Sequence, residues 1–96
     1  MKSAGVFQFR LYVADHTQNS GEAVANLTSL CEEHLPGKHH IEIVDVLHET
    51  KRAFADGIFM TPTLIKLSPA PIRRIVGTLS RTDTVLLALG LPLPAR

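Results

Sequence analysis

The side chains with the widest chemical reach in this sequence are Cys31, five histidines and two adjacent carboxylates, Glu32 and Glu33. Cys31 and His34 stand three residues apart with His39-His40 close behind, and sulfur and imidazole donors of this kind can approach a borderline-soft metal ion. The spacing is loose, and adjacent histidines project to opposite faces of a strand, so solvated or partly packed imidazoles are expected and no metal is predicted. Glu32 and Glu33 are neighbours on a helix, where consecutive residues do not face each other, and they read as a solvated face. A single cysteine leaves no internal disulfide and no CxxC redox pair. No glycine-rich phosphate loop, nucleophile elbow or catalytic triad pattern is present. The expectation is a non-enzymatic chain without a cofactor.

The elements that position these residues follow from hydrophobic spacing. Phe7, Phe9, Leu11 and Val13 alternate with Gln8, Arg10 and Tyr12, the period of a strand with one buried face. After a polar loop from Ala14 to Gln18, Asn19 followed by Glu22 predicts a capped helix start. Ala23, Val24, Leu27, Leu30, Cys31, His34 and Leu35 then form one apolar stripe that Pro36-Gly37 ends. Ile41 to Leu47 is a β-branched run with the composition of an interior strand covered on both faces. A right-handed parallel crossover is the economical link between the two strands. Ala53 to Ala55 offers a short helical patch that Gly57 stops. Thr63 to Leu67 and Ile72 to Val76 read as an antiparallel hairpin, with Pro69 and Pro71 in the connection because proline cannot donate to a ladder. Ser80, with Asp83 three residues on, is the expected cap of a last helix carrying Val85, Leu86 and Leu89 inward, before Pro92 and Pro94.

Ninety-six residues give room for one domain, 1–96, and the formal net charge of +1 argues against a nucleic-acid partner. Apolar runs fall short of the roughly 18 residues of a membrane span, and Met1 to Gly5 has no apolar signal region, so a cytoplasmic protein is expected. The order βαβαββα with Thr61-Pro62 before the third strand is the thioredoxin-like arrangement, in which that proline is commonly cis; Pro62 is the candidate. A thioredoxin needs a low-pKa thiolate at the start of the first helix, where Thr17, Gln18, Asn19 and Ser20 stand instead. The enzymatic alternative is a glutathione-transferase-like site in which Ser20 or Thr17 polarises a bound thiol beside Pro62.

LYVA (Leu11 to Ala14), NS (Asn19-Ser20), VDVL (Val44 to Leu47), TPTL (Thr61 to Leu64) and PIRRIVG (Pro71 to Gly77) together resemble the KaiB circadian clock family, from about Phe7 to Leu91. The resemblance implies a non-enzymatic protein that docks onto a KaiC-type RecA-like ATPase ring, with a KaiA-like protein or a sensor histidine kinase as further partners. It also implies a metamorphic chain. The second half of family members is either thioredoxin-like αββα or the βααβ arrangement of a tetramer (βαββααβ overall), so a homo-oligomer, dimer or tetramer, is a further expectation. Pro62, Pro69 and Pro71 fall in the remodelled region. Asp56, Arg73 and Arg74 match family residues near the partner-facing surface. The chain departs from the family pattern at Asp15, His16 and Gln18, at Gly57 where a Lys is usual, and at Ala88 and Gly90 where Gly and Asp are common. Alanine is about 1 kcal/mol better than glycine inside a helix, so Thr82 to Leu89 is expected to favour the thioredoxin-like state.

Overall fold

The alternation of Phe7, Phe9, Leu11 and Val13 produces strand β1 (Phe7–Val13), and the apolar stripe from Ala23 to Cys31 lies on helix α1 (Gln18–His34). In the computed structural model, which describes residues 6–14 and 17–93, these are followed by β2 (His39–Asp45), α2 (Thr50–Ala55), β3 (Thr63–Ser68), β4 (Arg73–Val76) and α3 (Thr82–Leu89). The order is the expected βαβαββα. One four-stranded sheet runs β2-β1-β3-β4, with β1 parallel to β2 and antiparallel to β3, and β3 antiparallel to β4. The peptide bonds before Pro62, Pro69 and Pro71 are cis.

β2 is not an interior strand. It lies at the sheet edge beside β1 alone, and Ile43 is 49% exposed. The parallel crossover through α1 carries the chain to one flank of β1, and β3 takes the other flank. The strand with the longest buried run is therefore β3, with Thr63, Leu64, Ile65 and Lys66 all inside. A run of branched aliphatics records apolarity, not which flank the crossover reaches.

The sheet separates two cores. On one face Phe9, Leu11 and Val13 of β1 and Leu64 of β3 pack with Ala23, Leu27, Leu30 and Cys31 of α1 and with Val85, Leu86 and Leu89 of α3. Each fully buried large side chain contributes about 1.5–3 kcal/mol, so this layer dominates the burial energy. On the other face Tyr12, Val44, Ala53 and Ile65 form a small cluster beneath α2, with Val46, Ile58 and Leu67 against it.

Both expected helix caps are corrected. Thr17, not Asn19, is the N-cap of α1; its hydroxyl accepts from the Ser20 N–H at 3.3 Å and donates to the Ala14 carbonyl at 2.9 Å. A hydroxyl that both accepts and donates joins the loop to the helix, which Asn19, already inside the first turn, cannot do. α3 begins at Thr82 with Arg81 at the cap position and no side-chain cap; Ser80 lies one residue earlier, and its hydroxyl accepts from Thr78 Oγ1 at 3.2 Å. Asp15, His16 and Pro94 lie outside the described residues.

Candidate functional site

α2 ends in a double clasp centred on Asp56. The helix stops by a backbone device that its glycine permits: Gly57 takes a φ of +69°, its N–H reaches the Phe54 carbonyl at 3.0 Å, and the Ile58 N–H reaches the Ala53 carbonyl at 2.9 Å. This is the Schellman pattern, and it leaves the carbonyls of Asp56 and Gly57 without helical partners. Arg74, from β4, supplies them: its guanidinium donates to the Asp56 carbonyl and, at 3.5 Å, to that of Gly57.

The Asp56 side chain is held from the opposite side. Its carboxylate accepts from the Tyr12 hydroxyl at 2.5 Å and from Arg10 Nη1 at 3.1 Å. The Arg52 carbonyl lies 3.3 Å from the same hydroxyl. A phenol has one proton, and the charged acceptor at the shorter distance takes it. The Tyr12 donor, followed by Arg10 and Arg74, holds the Asp56 carboxyl below its ordinary range, while burial and then the neighbouring carboxylate push the Tyr12 phenol up.

The charges alternate outward from there. Arg10 Nε donates to Glu42 Oε1 at 3.0 Å, Arg52 Nη2 to Glu42 Oε2 at 2.7 Å, and Arg52 Nη1 to Glu49 Oε1 at 3.3 Å. Arg52 first and Arg10 second depress the Glu42 carboxyl. The chain of pairs thus fastens α2 across β1 and β2.

Arg73 points to the other sheet face. Among the described residues its hydrogen bond is to its own neighbour, the Ile72 carbonyl, at 3.5 Å. Its register partner is Lys66, only 3% exposed, which donates from Nζ to the Leu89 carbonyl at 3.3 Å and sits 5.6 Å from the centre of the Phe7 ring. Burial, and then Arg73, push the Lys66 pKa down.

Of the three residues expected on the partner surface, Asp56 and Arg74 are therefore bound to each other's surroundings, and Arg73 stands apart with a solvent-facing guanidinium. The sequence reading overlooked the apolar side chains around the clasp: Phe54 on α2 is 84% exposed, Phe59 is 91% exposed, and Met60 and Val76 are exposed too. A signal for Phe54 existed, since on a helix it lies about 100° from its inward neighbour Ala53. The Arg10–Glu42 pair was not legible, because it depends on the β1–β2 register that places the two residues opposite each other.

The alternative thiol chemistry finds no support in the geometry. The Thr17 hydroxyl is committed to the α1 cap, and that of Ser20, buried, accepts the Ala14 N–H at 3.0 Å. Cys31 is buried and its thiol is pushed up to about 11 by desolvation. His39 Nδ1 lies 2.7 Å from the Leu35 carbonyl, and among the described residues no three His, Cys, Asp or Glu side chains converge to hold a metal. Nor is any described helix long and apolar enough to cross a membrane.

A family model, the KaiB domain, matches residues 10–91, which include both clasps and Arg73. The chain belongs to the KaiB family. The circadian clock protein KaiB3 of Synechocystis sp. is 43% identical over 82 residues, which span 85% of this chain and 80% of that one. The amino-terminal domain of Synechococcus elongatus SasA superposes with a TM-score of 0.75 at 15% identity, covering 100% of this chain and 94% of the other. Chloroplastic thioredoxin z gives 0.75 at 16% identity, covering 92% and 80%. The fold is thioredoxin-like, and family membership supports a KaiB-type clock role. The relatives bear the names of clock proteins.

Proposed function

We propose that this chain is a non-enzymatic, cytoplasmic, single-domain binding module that docks onto a KaiC-type ATPase ring through the α2 end of its sheet. The observation that carries the reading is the set of exposed apolar side chains, Phe54, Phe59 and Met60 about the α2 terminus that Asp56 and Arg74 hold in place, with Val76 exposed on β4. Exposed aromatics on a fixed scaffold are the composition of an interface, where aromatic and arginine anchors supply most of the affinity. Arg73, exposed on the opposite face of edge strand β4, is the cation offered to a carboxylate of a partner that reaches around that edge. A KaiA-like protein or a sensor histidine kinase would meet the same surface in competition or in a larger assembly.

The reading includes the second structural state. Ala88 sits within α3, and Gly90, at a φ of +78°, ends it in the left-handed region that favours glycine. These choices favour the αββα half of a chain whose Pro69–Pro71 connection and carboxyl-terminal segment belong to the remodelled region of a metamorphic family. A homo-oligomer would use the other state.

The test is retention of the purified chain on a KaiC-type ring loaded with ATP or with ADP. Binding to at least one nucleotide state is expected, weakened on the order of thirtyfold by Arg73→Ala, the equivalent of about 2 kcal/mol for an anchoring charge. Failure to bind either loaded ring overturns the reading.

A further inference from the structure

Two consecutive arginines on an exposed strand look interchangeable, but their surroundings separate them. We infer that Arg74 is a positioning residue for docking: it clasps the end of α2 and thereby presents the segment from Gly57 to Met60 to the partner. This rests on the docking reading above and assigns the second arginine of that surface a different task from the first.

Three observations converge on Arg74. The carbonyls of Asp56 and Gly57 face away from α2 once Gly57 has turned left-handed and the Schellman bonds have closed, and Arg74 donates to both. The planar guanidinium presents several donors in a fixed fork, so one side chain can serve two consecutive carbonyls, and its charge also complements the negative end of the helix. The same residue pair is secured from the other side, since the Asp56 carboxylate is taken by Tyr12 and Arg10. Between these clasps and β3 lies a short segment, and its Phe59 and Met60 are exposed. Ile58 packs beneath α2 and Thr63 Oγ1 donates to the Met60 carbonyl at 2.6 Å, so the segment is anchored at both ends. Arg74 secures the end nearer the helix. Among the described residues Arg73 has no such acceptors, being turned to the opposite face beside Lys66.

The hairpin uses the same device twice. Lys66 of β3 donates to the Leu89 carbonyl at the end of α3, as Arg74 of β4 does at the end of α2. Each of these helices ends in a left-handed glycine, Gly90 and Gly57, and receives a cation from the hairpin on its own side of the sheet.

The experiment uses the full chain with Arg74→Ala, Arg74→Lys and Arg73→Ala, each measured by amide hydrogen exchange in the free protein and by binding to the nucleotide-loaded ring. Arg74→Ala is expected to speed exchange at Gly57, Ile58 and Phe59 by about tenfold, the size of a lost charge-assisted bond, with β1 and α1 amides unchanged. Its ring affinity should fall by a similar factor, and Arg74→Lys, which can reach one carbonyl, should recover part of both. Arg73→Ala should weaken binding and leave exchange alone. Unchanged exchange at 57–59 in Arg74→Ala, with or without weaker binding, overturns the inference; with weaker binding, it makes Arg74 a direct anchor. If the unaltered chain does not bind the ring, the docking role falls with the proposed function, and exchange alone still decides whether Arg74 holds the segment.

Discussion

The sheet face beneath α1 and α3 is closed by thirteen buried side chains, whereas the face beneath α2 has four and a relay of ion pairs from Asp56 to Glu49. The first face derives its cohesion from area removed from water, which is non-directional and insensitive to pH. The second depends on directional bonds that fix one orientation of a six-residue helix too short to be stable by itself. Stability and presentation are thus divided between the two sides of one sheet. Apolar residues that would reinforce the weaker side are turned outward, Phe54 and Phe59 above all.

Substitutions on the two faces test that division, and the largest effect belongs to the dry one. Leu86→Ala removes a fully buried side chain of α3 and should cost about 2–5 kcal/mol in urea unfolding followed by circular dichroism. A loss below about 1 kcal/mol would mean that α3 does not close this core in solution. On the opposite face, Tyr12→Phe leaves the ring in place but strips the Asp56 carboxylate of the shorter of its two bonds; about 1–3 kcal/mol is expected, with the exchange of α2 amides rising more than that of α1.

Acid should separate the faces further. Asp56 and Glu42 have folded-state pKa values below their ordinary values of 3.8 and 4.5. Folding therefore releases their protons more readily, so their contribution is complete above the ordinary values and is lost as pH falls through the depressed ones. Amide exchange or fluorescence labelling at α2 should report loosening in that range before the α1–α3 core responds. Asp56→Asn together with Glu42→Gln should flatten the response, and an unchanged acid profile would show that the relay contributes nothing.

Lys66 supplies the converse test at high pH. Its pKa is depressed from 10.5, so the unfolded chain binds the proton more tightly and stability should rise as pH climbs through the folded value toward 10.5. Lys66→Met should abolish that rise while changing neutral-pH stability little, because relief from burying a charge opposes loss of the bond to Leu89. Urea midpoints at neutral and alkaline pH decide it. The smallest stability effect is expected for Phe54→Ser, within about 0.5 kcal/mol, accompanied by weaker ring binding; unaltered binding would remove Phe54 from the docking surface.

Much of this architecture was readable beforehand. Alternation marked β1, three-and-four spacing marked α1, paired apolar runs flanking prolines marked the hairpin, and Gly57 marked the end of α2. Each is a local pattern with a period or a backbone requirement of its own. The edge position of β2 was not readable, because Ile41, Ile43 and Val44 look alike whether one flank or two are covered. Asp56 was expected on the partner surface from its family position; that its carboxylate accepts from Tyr12, forty-four residues away, was not readable.

Sequence alone thus determined the order of the elements, the apolar stripe that each must bury and the family to which the chain belongs, since these depend on side-chain periodicity and on motifs within short windows. Tertiary structure decided which strands became central, which of two adjacent arginines faces α2 and which polar groups clasp its end. Those outcomes depend on groups brought within hydrogen-bond distance only after β1, α2 and the hairpin have packed, and no spacing along the chain encodes that distance.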